Sequence, residues 1–183
     1  MTFRLIDDVF LVGNPSVDLF FSDCYPEFLT RNDTTLPDGS VNFLGMHIKT
    51  TASSGLVVDV FDKKKEFPFK VVRYPHLDSE IPSSIPYGVF TGQLHRFRRI
   101  CSFYTCFVRN ACEVALILGR QKSSFGRLKL TFSTFCRKWL HRSRWGVRVS
   151  SLVCFFNDNL QLNWTGPSAS VDTAQPLTPE LDV

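Results

Sequence analysis

The sequence predicts an α+β chain in which antiparallel β-hairpins precede a three-helix unit. Three observations carry this. Apolar residues alternate over 41–48 and return over 56–61 across the turn residues Ser53, Ser54 and Gly55. Beyond Pro86 the apolar spacing changes to about 3.6, the period of a helix. Between these regions Pro68, Pro75 and Pro82 keep residues 63–85 extended, with little helix. At 183 residues, 44% hydrophobic and 21% charged, the chain can bury one core and is not disordered by composition.

The first residues contain two short apolar runs, Phe3-Arg4-Leu5-Ile6 and Val9-Phe10-Leu11-Val12, around Asp7-Asp8. They predict a tight hairpin with both carboxylates at its tip, stopped by Gly13 and Pro15. Val17, Phe20, Phe21 and Cys24 stand at helical spacing, and residues 28–32 read as a strand. Residues 41–61 are expected as one hairpin, with an unbroken first strand over 41–48. Helices are expected over 87–102, 104–120 and 125–141, the last connection marked by Ser123, Ser124 and Gly126. Residues 149–164 are ambiguous, and Val147, Val149, Leu152 and Phe155 suit a short strand pair. From Thr165 the composition turns to Pro, Ser and Thr, which predicts a disordered tail over 165–183.

The net charge of +4 conceals a division along the chain. Residues 1–62 hold three basic residues against nine acids, a net −6. Residues 63–148 hold eighteen against four, a net +14, and residues 149–183 hold four acids and no base. A basic stretch interleaved with Phe, Tyr and Trp suits a polyanion, because clustered Lys and Arg release the counterions condensed on a phosphate backbone. A solvated basic face accounts equally well for the charge alone.

Several classes find no support. No run approaches the roughly 18 apolar residues of a membrane span, and two acids stand where a secretory leader carries bases, so the expectation is an intracellular chain, cytoplasmic or nuclear, with no membrane partner. The six cysteines include no C-x-x-C pair, and reduced core thiols are the simplest reading. His47, His76, His95 and His141 are scattered, no glycine-rich phosphate loop exists, and no Ser or Cys has a nucleophile context.

Arg4-Leu5-Ile6-Asp7-Asp8 between apolar strands resembles the Tyr-X-Asp-Asp catalytic hairpin of reverse transcriptases. Cys24-Tyr25-Pro26-Glu27 with Phe28-Leu29 is similar to the segment that follows it in retroelement polymerases. The stretch Val41-Asn42-Phe43-Leu44-Gly45-Met46-His47-Ile48 resembles their primer-grip hairpin, with Phe43, Leu44 and Gly45 as its primer-grip-like residues. Val60-Phe61-Asp62-Lys63-Lys64 resembles the Tyr-Asp-Lys-Arg stretch that ends it. Pro75-His76-Leu77-Asp78-Ser79-Glu80-Ile81-Pro82 and the run from Tyr87 through Leu94, with Arg96, Arg99, Ile100 and Cys101, look like the linker and first thumb helix. The series covers about residues 3–140 in order.

The resemblance implies a partial polymerase palm over 1–62, a linker over 63–85 and a thumb-like helical unit over 86–148. It makes Asp7 and Asp8 the catalytic, metal-binding pair, with Mg²⁺ as cofactor. It makes Lys63, Lys64, Lys65, His95, Arg96, Arg98 and Arg99 the contacts to an RNA/DNA primer–template duplex. Leu5 stands where the family carries an aromatic residue. The family draws its first metal-binding aspartate and its fingers from strands upstream of the hairpin. The expectation is therefore a truncated reverse transcriptase fragment, inactive alone and completed only by an N-terminal polymerase portion in trans. The alternative is a non-catalytic nucleic-acid-binding or orphan interaction protein, in which Asp7-Asp8 is an ordinary turn pair.

Overall fold

The computed structural model describes residues 2–5, 8–11, 25–26, 28–30, 32–52, 55–69, 71–72, 74, 76–140 and 145–163. Among these residues the architecture is α+β, a three-stranded antiparallel sheet and a separate two-stranded hairpin followed by four helices. Strands β1 (Thr2–Leu5) and β2 (Asp8–Leu11) pair antiparallel, with Leu5 opposite Asp8. The expected first hairpin is therefore formed, and Asp7 at its connection lies outside the described residues. So do the expected helix over 16–24 and the tail over 165–183.

Residues 28–30 and 32 are not a strand. The Leu29 amide donates to the Pro26 carbonyl at 3.0 Å in a turn, and Phe28 is exposed. Among the described residues no strand pairs with this segment, so local β propensity has nothing to act on.

The sheet runs β3 (Val41–Phe43), β4 (Met46–Thr51), β5 (Gly55–Val60) in spatial order. The unbroken strand expected over 41–48 is corrected here. Phe43 pairs with Met46, so Leu44 and Gly45 form a two-residue turn at φ 49° and 73°. Positive φ at both central residues is the pattern of a type I′ hairpin turn, whose twist matches that of the flanking strands. Glycine adopts it freely and leucine does not. Phe10 of β2 stacks on Phe43 with ring centroids 5.4 Å apart, which ties the first hairpin to the sheet.

A 3-10 turn, Lys63–Glu66, follows the sheet, and the Asp62 carboxylate caps it by accepting from the Lys64 amide at 3.2 Å. The expected extended linker thus begins with a helical turn. Its later part is tied down, since Gln121 Nε2 donates to the Tyr74 carbonyl at 2.6 Å and the Leu77 amide donates to the Gln121 carbonyl at 3.2 Å.

Helix α1 (Ile85–Ile100) starts with Pro86 in its first turn, where the missing N–H costs no hydrogen bond. It buries Phe90, Leu94 and Phe97 on one stripe. Helix α2 (Tyr104–Arg120) buries a wider face, including Phe107, Ala111, Ala115 and Leu118, because helices and sheet both pack on it. It ends in a Schellman motif, with Ser123 N–H to Leu118 C=O and Lys122 N–H to Gly119 C=O, both 3.0 Å, and Lys122 at φ 68°. Helix α3 (Phe125–Trp139) is capped by Ser124 and buries Leu128, Phe132, Phe135 and Cys136.

The strand pair expected around 147–155 is a fourth helix, α4 (Val149–Asn163), so the three-helix unit is corrected to four. Leu152, Phe156 and Leu160 stand four apart and are buried together. Phe156 stacks on Phe132 at 3.9 Å and 11°, and this packing outweighs the β-branched, aromatic composition. Helix α1 lies beside α2 and α3, and α4 closes the square against α2 and α3. Phe90, Phe107, Phe132 and Phe156 are its largest fully buried side chains.

Sheet and helices form one body. Ser102, between α1 and α2, donates its amide to Val58 C=O at 2.8 Å and accepts the Val58 N–H on Oγ at 2.9 Å. Trp145 Nε1 donates to the Ser102 carbonyl at 3.0 Å. Asp59 of β5 receives Asn110 Nδ2 at 2.9 Å and pairs with Arg109.

Candidate nucleic-acid interface

The β3–β4 turn, the 3-10 turn, α1 and α2 surround an open cleft of about 720 Å³. Each wall follows from the local sequence. The tight Leu44-Gly45 turn projects toward α1, Asp62 fixes Lys63, Lys64 and Lys65 on the opposite lip, and Gln93 and Arg96 come from the outer arc of α1. Asn110 and Glu113 of α2 reach its floor.

The primer-grip-like residues Phe43, Leu44 and Gly45 lie where two other candidate elements meet. Phe43 carries the stack to Phe10, two residues beyond Asp8. Arg96 Nη2 approaches the Gly45 carbonyl at 3.5 Å from the other side. Leu44 sits at the tip, about half exposed. Asp8 is the first residue of β2.

The basic residues divide into two groups. Lys63, Lys64, Lys65 and Arg96 line the cleft, and Lys65 is held by Glu113 at 2.7 Å. That pair is exposed and contributes at most about 1 kcal/mol. Arg99 is exposed on the outer arc of α1. His95 and Arg98 turn toward α3 instead. The His95 ring meets Phe135 and Trp139 edge-on at 4.9 and 5.0 Å, and the Arg98 guanidinium lies 6.0 Å from the Trp139 ring. The basic helix is thus part exposed cationic surface and part packing seam. Asp62, Glu66 and Glu113 also line the cleft and temper its positive field.

Spacing alone does not reveal Gln93, Asn110 or Glu113, because they reach the cleft only once α1 and α2 have packed. Of the two tryptophans in the basic stretch 63–148, Trp145 packs on Phe107 at 5.1 Å, while Trp139 is partly exposed beside Lys138 at 5.3 Å.

Of the described cysteines, Cys101, Cys112 and Cys136 are buried, Cys106 is partly buried and Cys154 is exposed. Burial pushes the Cys101, Cys112 and Cys136 thiols up to about 12, and burial with the nearby Asp59 carboxylate raises Cys106. Outside the cleft, the hydrogen bond from Lys122 holds the Asp78 carboxyl below its usual value. Among the described residues no group of three or more His, Cys, Asp or Glu is gathered for a metal ion. The Mg²⁺ assignment to Asp7 and Asp8 rests on the resemblance. Among the described residues no helix is long and apolar enough to cross a membrane. No family model, curated protein or solved structure matches the chain.

Proposed function

We propose that the chain is a palm-and-thumb portion of a reverse-transcriptase-like polymerase and that its cleft and the outer arc of α1 hold a primer–template duplex. One observation carries the reading. The Phe43-Leu44-Gly45 turn touches the acid-bearing hairpin through Phe10 and the basic helix through Arg96, although these lie 33 and 51 residues apart from their partners in sequence. A polymerase needs that juxtaposition, because the primer end must be held beside the acids while the duplex behind it rests on cations. In this arrangement Arg96, Arg99, Lys63 and Lys64 meet phosphates, and Leu44 offers an apolar tip to the sugar edges of a wide minor groove. The parent activity is RNA-directed DNA synthesis, with Asp7 and Asp8 in the metal-binding role. A non-catalytic nucleic-acid-binding protein would use the same surface and differ only at those two acids.

The test is salt dependence. The chain is expected to bind RNA–DNA duplex with little sequence preference and with affinity that falls steeply as salt rises. Arg99→Ala and Arg96→Ala should each reduce the slope of log affinity against log salt by roughly one per lost phosphate contact. A slope unchanged in both variants would return the helix to a solvated face.

A further inference from the structure

The segment that follows the three lysines reads Glu66-Phe67-Pro68-Phe69. A residue before proline is driven out of the helical region, and Phe67 is extended, at φ −73° and ψ 136°. Side chains two apart on extended backbone share a side, and the Phe67 and Phe69 rings stack with centroids 5.3 Å apart at 19°. Both rings remain in water, 45% and 65% exposed, and neither joins the core. Immediately before them the 3-10 turn presents Lys63 and Lys64, exposed and without an ion pair among the described residues.

Parallel aromatic faces beside exposed cations match one ligand chemistry, a strand of unpaired nucleotides, whose flat bases stack while its phosphates find the ammonium groups. A duplex hides its base faces within its own stack. A membrane surface suits the segment less, because Asp62 and Glu66 flank the lysines and two rings offer little to insert. Two rings also fall far short of the roughly 1,000 Å² that a stable contact with a second copy buries. Resting on the function proposed above, we propose that Phe67 and Phe69 form a stacking platform for the single-stranded stretch of a bound nucleic acid, with Lys63 and Lys64 on its phosphates.

The experiment uses the full chain and three probes of equal length: oligo(dT), an abasic strand with the same phosphates, and a blunt RNA–DNA duplex. Oligo(dT) is expected to bind about tenfold or more tighter than the abasic strand. The Phe67→Ala/Phe69→Ala variant should erase that difference and leave duplex affinity, its salt slope and the melting temperature unchanged. Phe67→Tyr/Phe69→Tyr should retain the difference, and Phe67→Leu/Phe69→Leu should lose it. Equal affinity of the native chain for oligo(dT) and the abasic strand, with duplex binding intact, would overturn the platform and leave the duplex interface standing. Binding to none of the probes would overturn both. A preference for oligo(dT) that survives the Leu pair, or ring-dependent capture of anionic vesicles without that preference, would also overturn the platform.

Discussion

Asn110 of α2 donates from Nδ2 to the Asp59 carboxylate of β5 at 2.9 Å, with its second N–H on the Cys106 carbonyl at 2.8 Å. This amide is nearly buried, so the pair joins sheet and helices where water has little access. Asp59→Ala strands the amide and releases Arg109. It is expected to cost about 2–3 kcal/mol, read by urea unfolding. Asp59→Asn keeps an acceptor and should cost less.

Leu44 is held at φ 49° at the tip of the β3–β4 turn. Leu44→Gly removes that strain and is expected to raise stability by about 1 kcal/mol in a thermal melt. The same change removes the apolar tip from the cleft, so duplex affinity should fall while stability rises. Equal or tighter duplex binding by the glycine variant would detach Leu44 from the interface.

Gly119 lies near the end of α2, and a Cβ there would stand 2.0 Å from Phe125 Cζ of α3. Helix propensity favours Gly119→Ala by about 1 kcal/mol. The ring contact reverses the sign, and a net loss of about 1–3 kcal/mol is expected from forced repacking. Adding Phe125→Ala should make the Gly119→Ala step itself favourable, which a double-mutant cycle measures.

The buried thiols predict an alkaline limit. Below pH 9 they are protonated in both the folded and unfolded chain, and their contribution is whole. Above it the unfolded thiols ionise near their ordinary value of 9.0, while Cys101, Cys112 and Cys136 stay protonated to about 12. Stability should therefore fall with rising pH between these values, by about 1.4 kcal/mol per pH unit for each thiol. Cys136→Ala should flatten the stability-against-pH slope over pH 9.5–11 by that amount. Among the described thiols, Cys154 is exposed and should be alkylated first in the native state.

The parts legible in the sequence are those with strong local period. The helices α1, α2 and α3 declare themselves through stripes such as Phe90, Leu94 and Phe97, and β5 through its short valine-rich run. What escaped depends on tertiary contact. The run containing Val149, Val153 and Phe155 has the composition of a strand, and only packing of Phe156 on Phe132 makes it a helix. The Leu44-Gly45 turn hides inside an apolar run because leucine rarely accepts positive φ. For the candidate site, sequence brought forward Leu44, Gly45, Lys63 to Lys65 and Arg96, which the fold gathers around one cleft, and Phe43, whose ring stacks on Phe10 instead. It did not separate Arg96 and Arg99 from His95 and Arg98, because that division is made by Phe135 and Trp139 across a helix–helix seam.

The Ser102 contact has a meaning for life at high concentration. β5 is an outer strand of its sheet, and an outer strand offers unpaired N–H and C=O groups as a template for another chain. Ser102 occupies both outward groups of Val58, the amide with its hydroxyl and the carbonyl with its own N–H. A single residue at a helix junction thus plugs the middle of this edge, and the helical unit keeps β5 from recruiting strands from its neighbours.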